Sequence, residues 1–472
     1  NVFLGETSYI TKALTAILQL GVTMDYSIFL LNSYEENKRR FPGEKERAMG
    51  HAIANTFKSV VGSSVTTVAG FAALCFMTFA LGRDMGIVMA KGVVIGVICC
   101  VTLLPALVLA CDGLIEKTSH RLLFRSMDRP SAFITKHYVV WLAVFLVLLI
   151  PAVYGNDHTG IYYNIARSLP ESLPSNVANE KLAEDFDMSN VHMILMDQKM
   201  DGLEKREMLE EVDTVDGVKW SISMNSLVGP AVPDSMIPDD IREMLQSDNY
   251  ELAFVCSEYS SATDEVNAQI SAIDRIVKSY DESAMVIGEA PLMKDLQDVT
   301  DVDLRNVNLI SVAAIFLIIM LVFKSVSLPV ILVAVIEFAI AVNMALPYYM
   351  GTELPFVASI VIGTIQLGAT VDYAILMTSR YQKERVRGRG KKEAIAIAHR
   401  TSMPSIVSSG LSFFAATFGV ACYSKVDMIG SICTLLARGA VISMLVVIFV
   451  LPAMFMLLDK LICKTTAGMK ES

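Results

Sequence analysis

Long apolar runs recur along the chain and alternate with shorter polar stretches. Each of nine runs is long enough to cross about 30 Å of hydrocarbon as a helix. The chain is therefore predicted to be a polytopic α-helical membrane protein. The predicted spans cover residues 9–31, 59–80, 86–110, 138–154, 305–323, 328–347, 355–378, 405–423 and 429–458.

Basic residues predict how these spans are oriented. Lys and Arg gather in residues 38–58, 117–136, 380–392 and 460–470, and all four segments fall on one side when the nine spans are threaded in order. Because short cytoplasmic loops carry the excess of positive charge, that side is expected to be the cytoplasm. The sequence thus predicts a multi-pass protein of the cell membrane, with the long segment 155–303 outside the cytoplasm.

The spans and the long polar segment divide the chain into five predicted parts. The first part holds the last three spans of one helix bundle, and a second bundle begins after a cytoplasmic linker. The parts are residues 1–113 (first bundle), 114–137 (linker), 138–154 (first span of the second bundle), 155–303 (outer domain) and 304–472 (five remaining spans and a basic tail).

Segment 155–303 is predicted to be a compact α+β domain. Strand patterns occur at 191–196, 250–256 and 284–288, and helical patterns occur at 203–212 and 262–279. This order suggests a split βαβ, ferredoxin-like unit. Prolines are expected to mark irregular stretches of this domain, and they stand at Pro170, Pro174, Pro230, Pro233 and Pro238.

The chemistry of segment 155–303 gives no indication of an enzyme. It holds 31 Asp and Glu against 10 Lys and Arg, and Cys256 is its one cysteine. The acidity fits either solubility of an exposed domain or attraction of cationic amphiphiles and ions. Its sequence contains no nucleophile elbow, phosphate-binding loop or metal-ligand spacing, so neither a cofactor, a metal nor a nucleic acid is expected as a partner.

An internal repeat relates the two bundles. Residues 19–34 align with residues 366–381 without a gap at an offset of 347, and eight of these sixteen positions are identical. The same offset pairs Leu-Pro-Ala at 104–106 with 451–453, and Asp112 with Asp459. Repeats of this size in membrane transporters usually form two bundles related by pseudo-symmetry, with a site between them.

Each copy of the repeat carries an Asp-Tyr pair inside an apolar span. The pairs are Asp25-Tyr26 and Asp372-Tyr373. Carboxyl groups in hydrocarbon are costly when charged and are typical of ion and proton pathways. We expect the pairs to cross, Asp25 with Tyr373 and Asp372 with Tyr26, and to relay protons; the alternative is that they only hold two helices together.

Five further residues are candidates for supporting this relay. Gly21 and Gly368 precede the aspartates by four residues, so they are expected to let the two Asp-bearing helices approach closely. Glu337 lies near the middle of a span and either lines the same path or braces the second bundle. Lys91 and Arg438 are equivalent in the repeat and either neutralise carboxylates or extend to the membrane surface.

The duplicated motif resembles a known family. Gly21 to Tyr26, Gly368 to Tyr373, the outer domain, Pro105 and Pro452 are similar to elements of RND-superfamily exporters of the MMPL type. The resemblance implies a pseudo-symmetric twelve-span bundle with porter domains, and proton-driven export of lipids or other hydrophobic molecules. It assigns the proton relay to Asp25, Tyr26, Asp372 and Tyr373.

Two questions stay open at this point. Nine of twelve spans are present, so about 210 residues with three spans and a second outer domain are expected before Asn1. A sterol-sensing or receptor-like protein, a protein-secretion accessory and an inactive fragment are alternatives to an exporter. A homo-oligomer is compatible with the sequence, as is a monomer.

Overall fold

The computed structural model describes residues 7–118, 127–164, 166–224 and 239–469. It divides into two compact units, of which the first combines Asn1–Ile161 with Val302–Ser472 and the second is Tyr162–Asp301. The first unit is built of helices, and the second combines helices with a sheet. The bounds of the second unit fall a few residues inside the predicted outer domain, 155–303.

Three long helices open the first unit. The first begins at a capping serine, because the Ser8 side chain accepts a hydrogen bond from the Ile10 amide. Its last turn carries Lys38, Arg39 and Arg40, and positive charge is favourable at the end of a helix where carbonyl groups are free. The helices are α1 (Tyr9–Arg40), α2 (Lys45–Ala73, continued by the 3-10 turn Leu74–Phe76) and α3 (Ala80–Thr118).

A short amphipathic helix and a hydrophobic one follow. In the short helix Ser131 and Ile134 are buried, whereas Phe133 is exposed. The hydrophobic helix leads into a two-residue strand. These elements are α4 (Asp128–Lys136), α5 (Tyr138–Asp157) and β1 (Ile161–Tyr162).

The described part of the second unit contains four α-helices and a four-stranded sheet. The strand and helix patterns predicted at 191–196, 203–212, 250–256, 262–279 and 284–288 are each found as the predicted kind of element. The elements are α6 (Pro174–Phe186), β2 (Asn190–Asp197), α7 (Gly202–Val212), β3 (Val218–Ile222), α8 (Asp239–Leu245), β4 (Tyr250–Ser257), α9 (Asp264–Tyr280) and β5 (Met285–Ile287).

The prediction that prolines mark irregular stretches is wrong at Pro174. This residue begins α6, because the first turn of a helix does not need the amide hydrogen that proline lacks. Pro230, Pro233 and Pro238 lie outside the described residues.

The sheet has the strand order β3-β4-β2-β5, and every neighbouring pair is antiparallel. Ile194 of β2 and Val255 of β4 pack with side chains of α7 and α9 in one apolar cluster. Strand alternation places His192 on the same face as Ile194, so this histidine is fully buried. The two helices therefore cover one face of the sheet.

Five long helices complete the first unit. Two of its prolines, Pro105 in α3 and Pro452 in the last helix, are separated by the repeat offset of 347. The elements are α10 (Glu289–Phe323), α11 (Ser327–Met350), β6 (Leu354–Pro355), α12 (Phe356–Val386), α13 (Lys391–Tyr423) and α14 (Asp427–Thr465).

Nine helices in the described part of the chain are long and apolar enough to cross a membrane. They are α1, α2, α3, α5 and α10 to α14, and the nine predicted spans fall in them one by one. The prediction of a polytopic helical membrane protein is thereby confirmed. Most of these helices extend well past the apolar core that was predicted from hydrophobicity.

The helices that carry the Asp-Tyr pairs share two neighbours. Helix α1 packs against α2, α3 and α13, and α12 packs against α2, α11, α13 and α14. Helices α2 and α13 each contact both Asp-bearing helices, and this arrangement places side chains of four helices around the two pairs.

Candidate functional site

The two Asp-Tyr pairs are buried inside the helix bundle. Asp25 and Tyr26 lie in the middle of α1, and Asp372 and Tyr373 lie at the matching position of α12. None of the four side chains is more than 1% exposed. The sequence therefore places two carboxyl groups where neither water nor the membrane surface reaches them directly.

The two tyrosines lie in the same buried cluster as the two aspartates, and each is within electrostatic range of both carboxyl groups. Among the described residues no hydrogen bond joins either crossed pair, since the Tyr26 hydroxyl donates to Thr67 Oγ1 at 3.4 Å. The crossed pairing and the relay role of the four residues therefore stay predictions.

Several polar atoms of this cluster have no hydrogen-bond partner among the described residues. They are Oδ1 of Asp25, both carboxyl oxygens of Asp372, and the hydroxyls of Ser63 and Ser409. Ser409 of α13 lies beside Asp25, and Ser63 of α2 lies beside Asp372. Buried polar atoms are nearly always paired, and exceptions are typical of sites that exchange protons, water or ions.

The two threonines of the repeat are occupied within their own helices. Thr23 donates to the carbonyl of Gln19, and Thr370 donates to the carbonyl of Gln366, each at 2.7 Å. A hydroxyl that bonds the preceding helical turn is satisfied locally. These threonines are therefore packing residues of the helices rather than members of the cluster.

The glycine prediction is wrong about which helix is approached. A Cβ added at Gly21 would lie 2.8 Å from the Phe413 ring of α13, and one added at Gly368 would lie 3.6 Å from the Thr67 backbone of α2. Gly70 of α2 also lies against Gly368. Each glycine admits a helix that both halves share, because α2 and α13 lie beside both Asp-bearing helices.

Arg438 is held by the bundle and pairs with no carboxylate in the described residues. Its Nε donates to Asn343 Oδ1 and its Nη2 donates to the Asn343 carbonyl, both at 2.8 Å. Asn343 in turn donates to Gln366 Oε1 at 2.8 Å, and Gln366 lies six residues before Asp372. Lys91, its equivalent in the repeat, is exposed. Arg438 thus connects α14 to α11 and, through Asn343, to α12.

The amino-acid sequence is similar to a known protein family over most of its length. A sequence model of the MMPL family matches residues 2–130 and 168–466. The chain belongs to the MMPL family. It is a multi-pass membrane protein of that family, in agreement with its nine apolar helices.

Individual relatives are distant. Membrane protein YdfJ of Bacillus subtilis is 20% identical over 433 residues, which cover 86% of this chain and 57% of the relative. Putative membrane protein ActII-3 of Streptomyces coelicolor is 22% identical over 464 residues, covering 93% of this chain and 60% of the relative. The siderophore exporter MmpL5 of Mycobacterium tuberculosis is 23% identical over 163 residues, covering 34% of this chain and 17% of the relative. This MMPL chain thus spans less than two thirds of the length of these relatives.

Glu337 of this MMPL protein lies half-buried in the middle of α11. It forms no ion pair with Lys or Arg among the described residues. Whether it lines the path of the relay or braces the second bundle stays a prediction.

A group of polar side chains at the basic end of α1 was not predicted from the sequence. Asp112 of α3 accepts hydrogen bonds from the Tyr34 hydroxyl at 3.1 Å and from Lys38 Nζ at 2.8 Å. Lys45 of α2 also pairs with it, at 2.5 Å. We call Tyr34, Lys38 and Asp112 the first clamp; it ties α1 to α3.

The MMPL repeat builds the same clamp in the second half. Asp459 of α14 accepts a hydrogen bond from the Tyr381 hydroxyl at 2.5 Å, and Arg385 Nε lies 3.1 Å from Asp459 Oδ1. We call Tyr381, Arg385 and Asp459 the second clamp; it ties α12 to α14. The offset of 347 relates all three members to those of the first clamp, so the signal was present in the sequence, but Lys38 and Arg385 differ in identity.

The residues that the structure describes contain no group of three or more His, Cys, Asp or Glu side chains that could hold a metal ion. The ionisable side chains of the cluster are carboxyl and phenol groups, and their part in proton transfer stays a prediction.

Proposed function

We propose that this protein exports lipids or other hydrophobic molecules across the cell membrane and is driven by protons that pass through the crossed Asp-Tyr pairs. The observation that carries the proposal is the cluster of buried, unpartnered carboxyl oxygens on Asp25 and Asp372. A fixed structural contact would satisfy these oxygens. A site that binds and releases protons must leave them free to change partners.

The crossed geometry supports coupling of protons to movement. Both carboxyl groups lie within electrostatic range of the tyrosine of the other half, so loading or unloading a proton would change the attraction between the halves. A charge that moves through 100 mV supplies about 2.3 kcal/mol. This energy corresponds to a concentration ratio of somewhat less than a hundredfold per proton, which suffices to expel an amphiphile.

Repeated contacts support an RND-type pseudo-symmetric bundle. Gln19 donates to the Gly92 carbonyl at 3.2 Å, and Gln366 donates to the Gly439 carbonyl at 3.5 Å. Both members of each bond are related by the repeat offset. The two halves therefore use equivalent contacts to hold equivalent helices.

The second unit supports a porter role outside the cytoplasm. Its strand order and antiparallel pairing support the proposal of two interleaved split βαβ units, as in ferredoxin-like domains. The distribution of basic residues along the chain favours an extracytoplasmic position. The relative MmpL5 is named as a siderophore exporter, and this name supports export as the direction of transport.

The relay is tested with neutral variants of the natural full-length protein in lipid vesicles. Asp25→Asn and Asp372→Asn keep the size of each side chain but cannot carry a proton at this position. We expect each variant to abolish proton flux and release of a fluorescent lipid while the protein remains folded. Glu36→Gln is the control, because it neutralises a carboxylate of α1 that is more than half exposed and lies outside the cluster, and it should transport normally.

Three outcomes separate this function from the alternatives. Normal proton flux and lipid release in both aspartate variants would contradict the relay. Loss of folded protein in both variants would assign the pairs to helix packing. Absence of proton flux from the wild type under any gradient would favour a receptor-like role.

A further inference from the structure

The helices that carry the relay are tied to their own half on both sides of the Asp-Tyr pair. In the first half, Gln19 binds the Gly92 carbonyl of α3, and Tyr34 binds Asp112 of the same helix. Asp25 lies between these two attachments. The second half repeats the arrangement, with Gln366 and Tyr381 of α12 attached to α14 on either side of Asp372.

Helix geometry determines how strongly each attachment controls the aspartate. At 1.5 Å per residue, Gln19 and Tyr34 are about 22 Å apart along α1, and Asp25 is about 9 Å from Gln19. If the clamp opened and α1 pivoted at Gln19, a shift of 2 Å at Tyr34 would move Asp25 by roughly 0.8 Å. Proton-transfer geometry must be held to within about 0.5 Å. An intact clamp is therefore required to hold the Asp25 side chain within the tolerance of proton transfer.

The carboxylates of both clamps are buried, which is unusual for a contact with a purely structural role. Asp112 is 1% exposed and Asp459 is 5% exposed, and each binds both a tyrosine hydroxyl and a basic side chain. Buried ion pairs are weak contributors to net stability, and their best-attested use is to fix one arrangement of helices. Retention of both clamps at equivalent places fits that use.

We propose that Asp112 and Asp459 are positioning residues of the relay. Each carboxylate fixes the basic end of an Asp-bearing helix to the last helix of the same half. The Asp and Tyr residues of that helix therefore move only when the whole half moves. The inference rests on the proposed function and extends it to residues outside the cluster. The clamps act through α1 and α12 and do not themselves carry the transported proton.

The test compares clamp variants of the natural full-length protein in vesicles at a series of pH values. Asp112→Asn removes the charge, and Tyr381→Phe removes only the hydroxyl of the second clamp. We expect each to lower proton-driven lipid release per folded molecule by about tenfold and to move the pH of half-maximal release by about one unit.

The matched control is Glu116→Gln. Glu116 pairs with Lys38 at 2.6 Å but is more than half exposed, so removing its charge should leave both release and pH profile unchanged. If Asp112→Asn and Tyr381→Phe change only the yield of folded protein, and keep the wild-type release per molecule and pH profile, the clamps are structural and the proposal is wrong. The variant Asp25→Asn in the same assay separates failure of the clamp proposal from failure of the proposed function. Normal release in Asp25→Asn refutes the relay itself, whatever the clamp variants do.

Discussion

Alanine at two equivalent glycines is expected to have different effects on stability. A Cβ at position 21 would lie 2.8 Å from Phe413 Cδ2 and 3.0 Å from its Cε2, and the Phe413 side chain is 3% exposed and cannot swing into solvent. At position 368 the nearest atoms, in the Thr67 backbone, are 3.6 Å away, which is an ordinary contact. Gly21 and Gly368 therefore tolerate the same added methyl differently.

The magnitude follows from two opposing effects. Replacing a helical glycine by alanine stabilises a protein by about 0.4–1 kcal/mol, because the unfolded chain loses freedom. Overpacking a filled interior costs about 1–3 kcal/mol. We expect Gly21→Ala to lower the free energy of unfolding by about 1–2 kcal/mol, and Gly368→Ala to leave it unchanged or raise it by up to about 1 kcal/mol.

Thermal unfolding of the purified variants in detergent, followed by circular dichroism, measures both signs. The variant Phe413→Leu removes the ring, so it should restore stability in the Gly21→Ala background and show a favourable coupling in a double-mutant cycle. Equal losses in Gly21→Ala and Gly368→Ala would refute the reasoning, since the two sites differ only in what faces the new methyl.

Three further predictions concern charged and polar side chains. Asp459→Asn should destabilise the protein by about 3–5 kcal/mol, which is well beyond the effect of Asp112→Asn. The reason is that the Arg385 side chain, only 2% exposed, loses its counter-charge. Similar unfolding midpoints of the two variants would contradict this prediction. Burial lowers the pKa of His192 below its ordinary value of 6.5, so the second unit should lose stability as the pH falls below about 6.5. Hydrogen exchange at pH 5 and 8 measures this loss, and His192→Gln should abolish the difference in stability between the two pH values. The Asp303 carboxylate accepts hydrogen bonds from the backbone amides of residues 78 and 79, just before α3, at 3.1 and 2.9 Å. Asp303→Ala should therefore speed hydrogen exchange at residues 78–79. Unchanged exchange would refute the role of Asp303 in capping α3.

Hydrophobic periodicity was sufficient to predict the nine spans and the principal strands, since both depend on local sequence. Neighbours of each helix could not be predicted in this way. Gly21 and Gly368 occupy equivalent places in the repeat, yet one faces the ring of Phe413 and the other the backbone of Thr67. That difference arises from α2 and α13, where the repeat is weak.

The candidate site shows the same division between local and tertiary information. Burial of Asp25 and Asp372 follows from the spans that contain them, whereas the contact of Ser63 and Ser409 with them depends on helix packing. Arg438 could not be assigned because its partner Asn343 lies in a helix outside the recognised repeat. Sequence equivalence identifies which residues correspond, but the fold decides what they contact.

The crossing of the Asp-Tyr pairs has a consequence for the origin of the site. When residue i of one copy faces residue j of the other, and j faces i in return, the contact is that of an isologous two-fold dimer. The predicted pairing of Tyr26 with Asp372 and of Tyr373 with Asp25 is such a contact within one polypeptide. A single half, present as a self-associating dimer, would already have contained both pairs, so duplication within one chain would have preserved a site that two separate copies had built together.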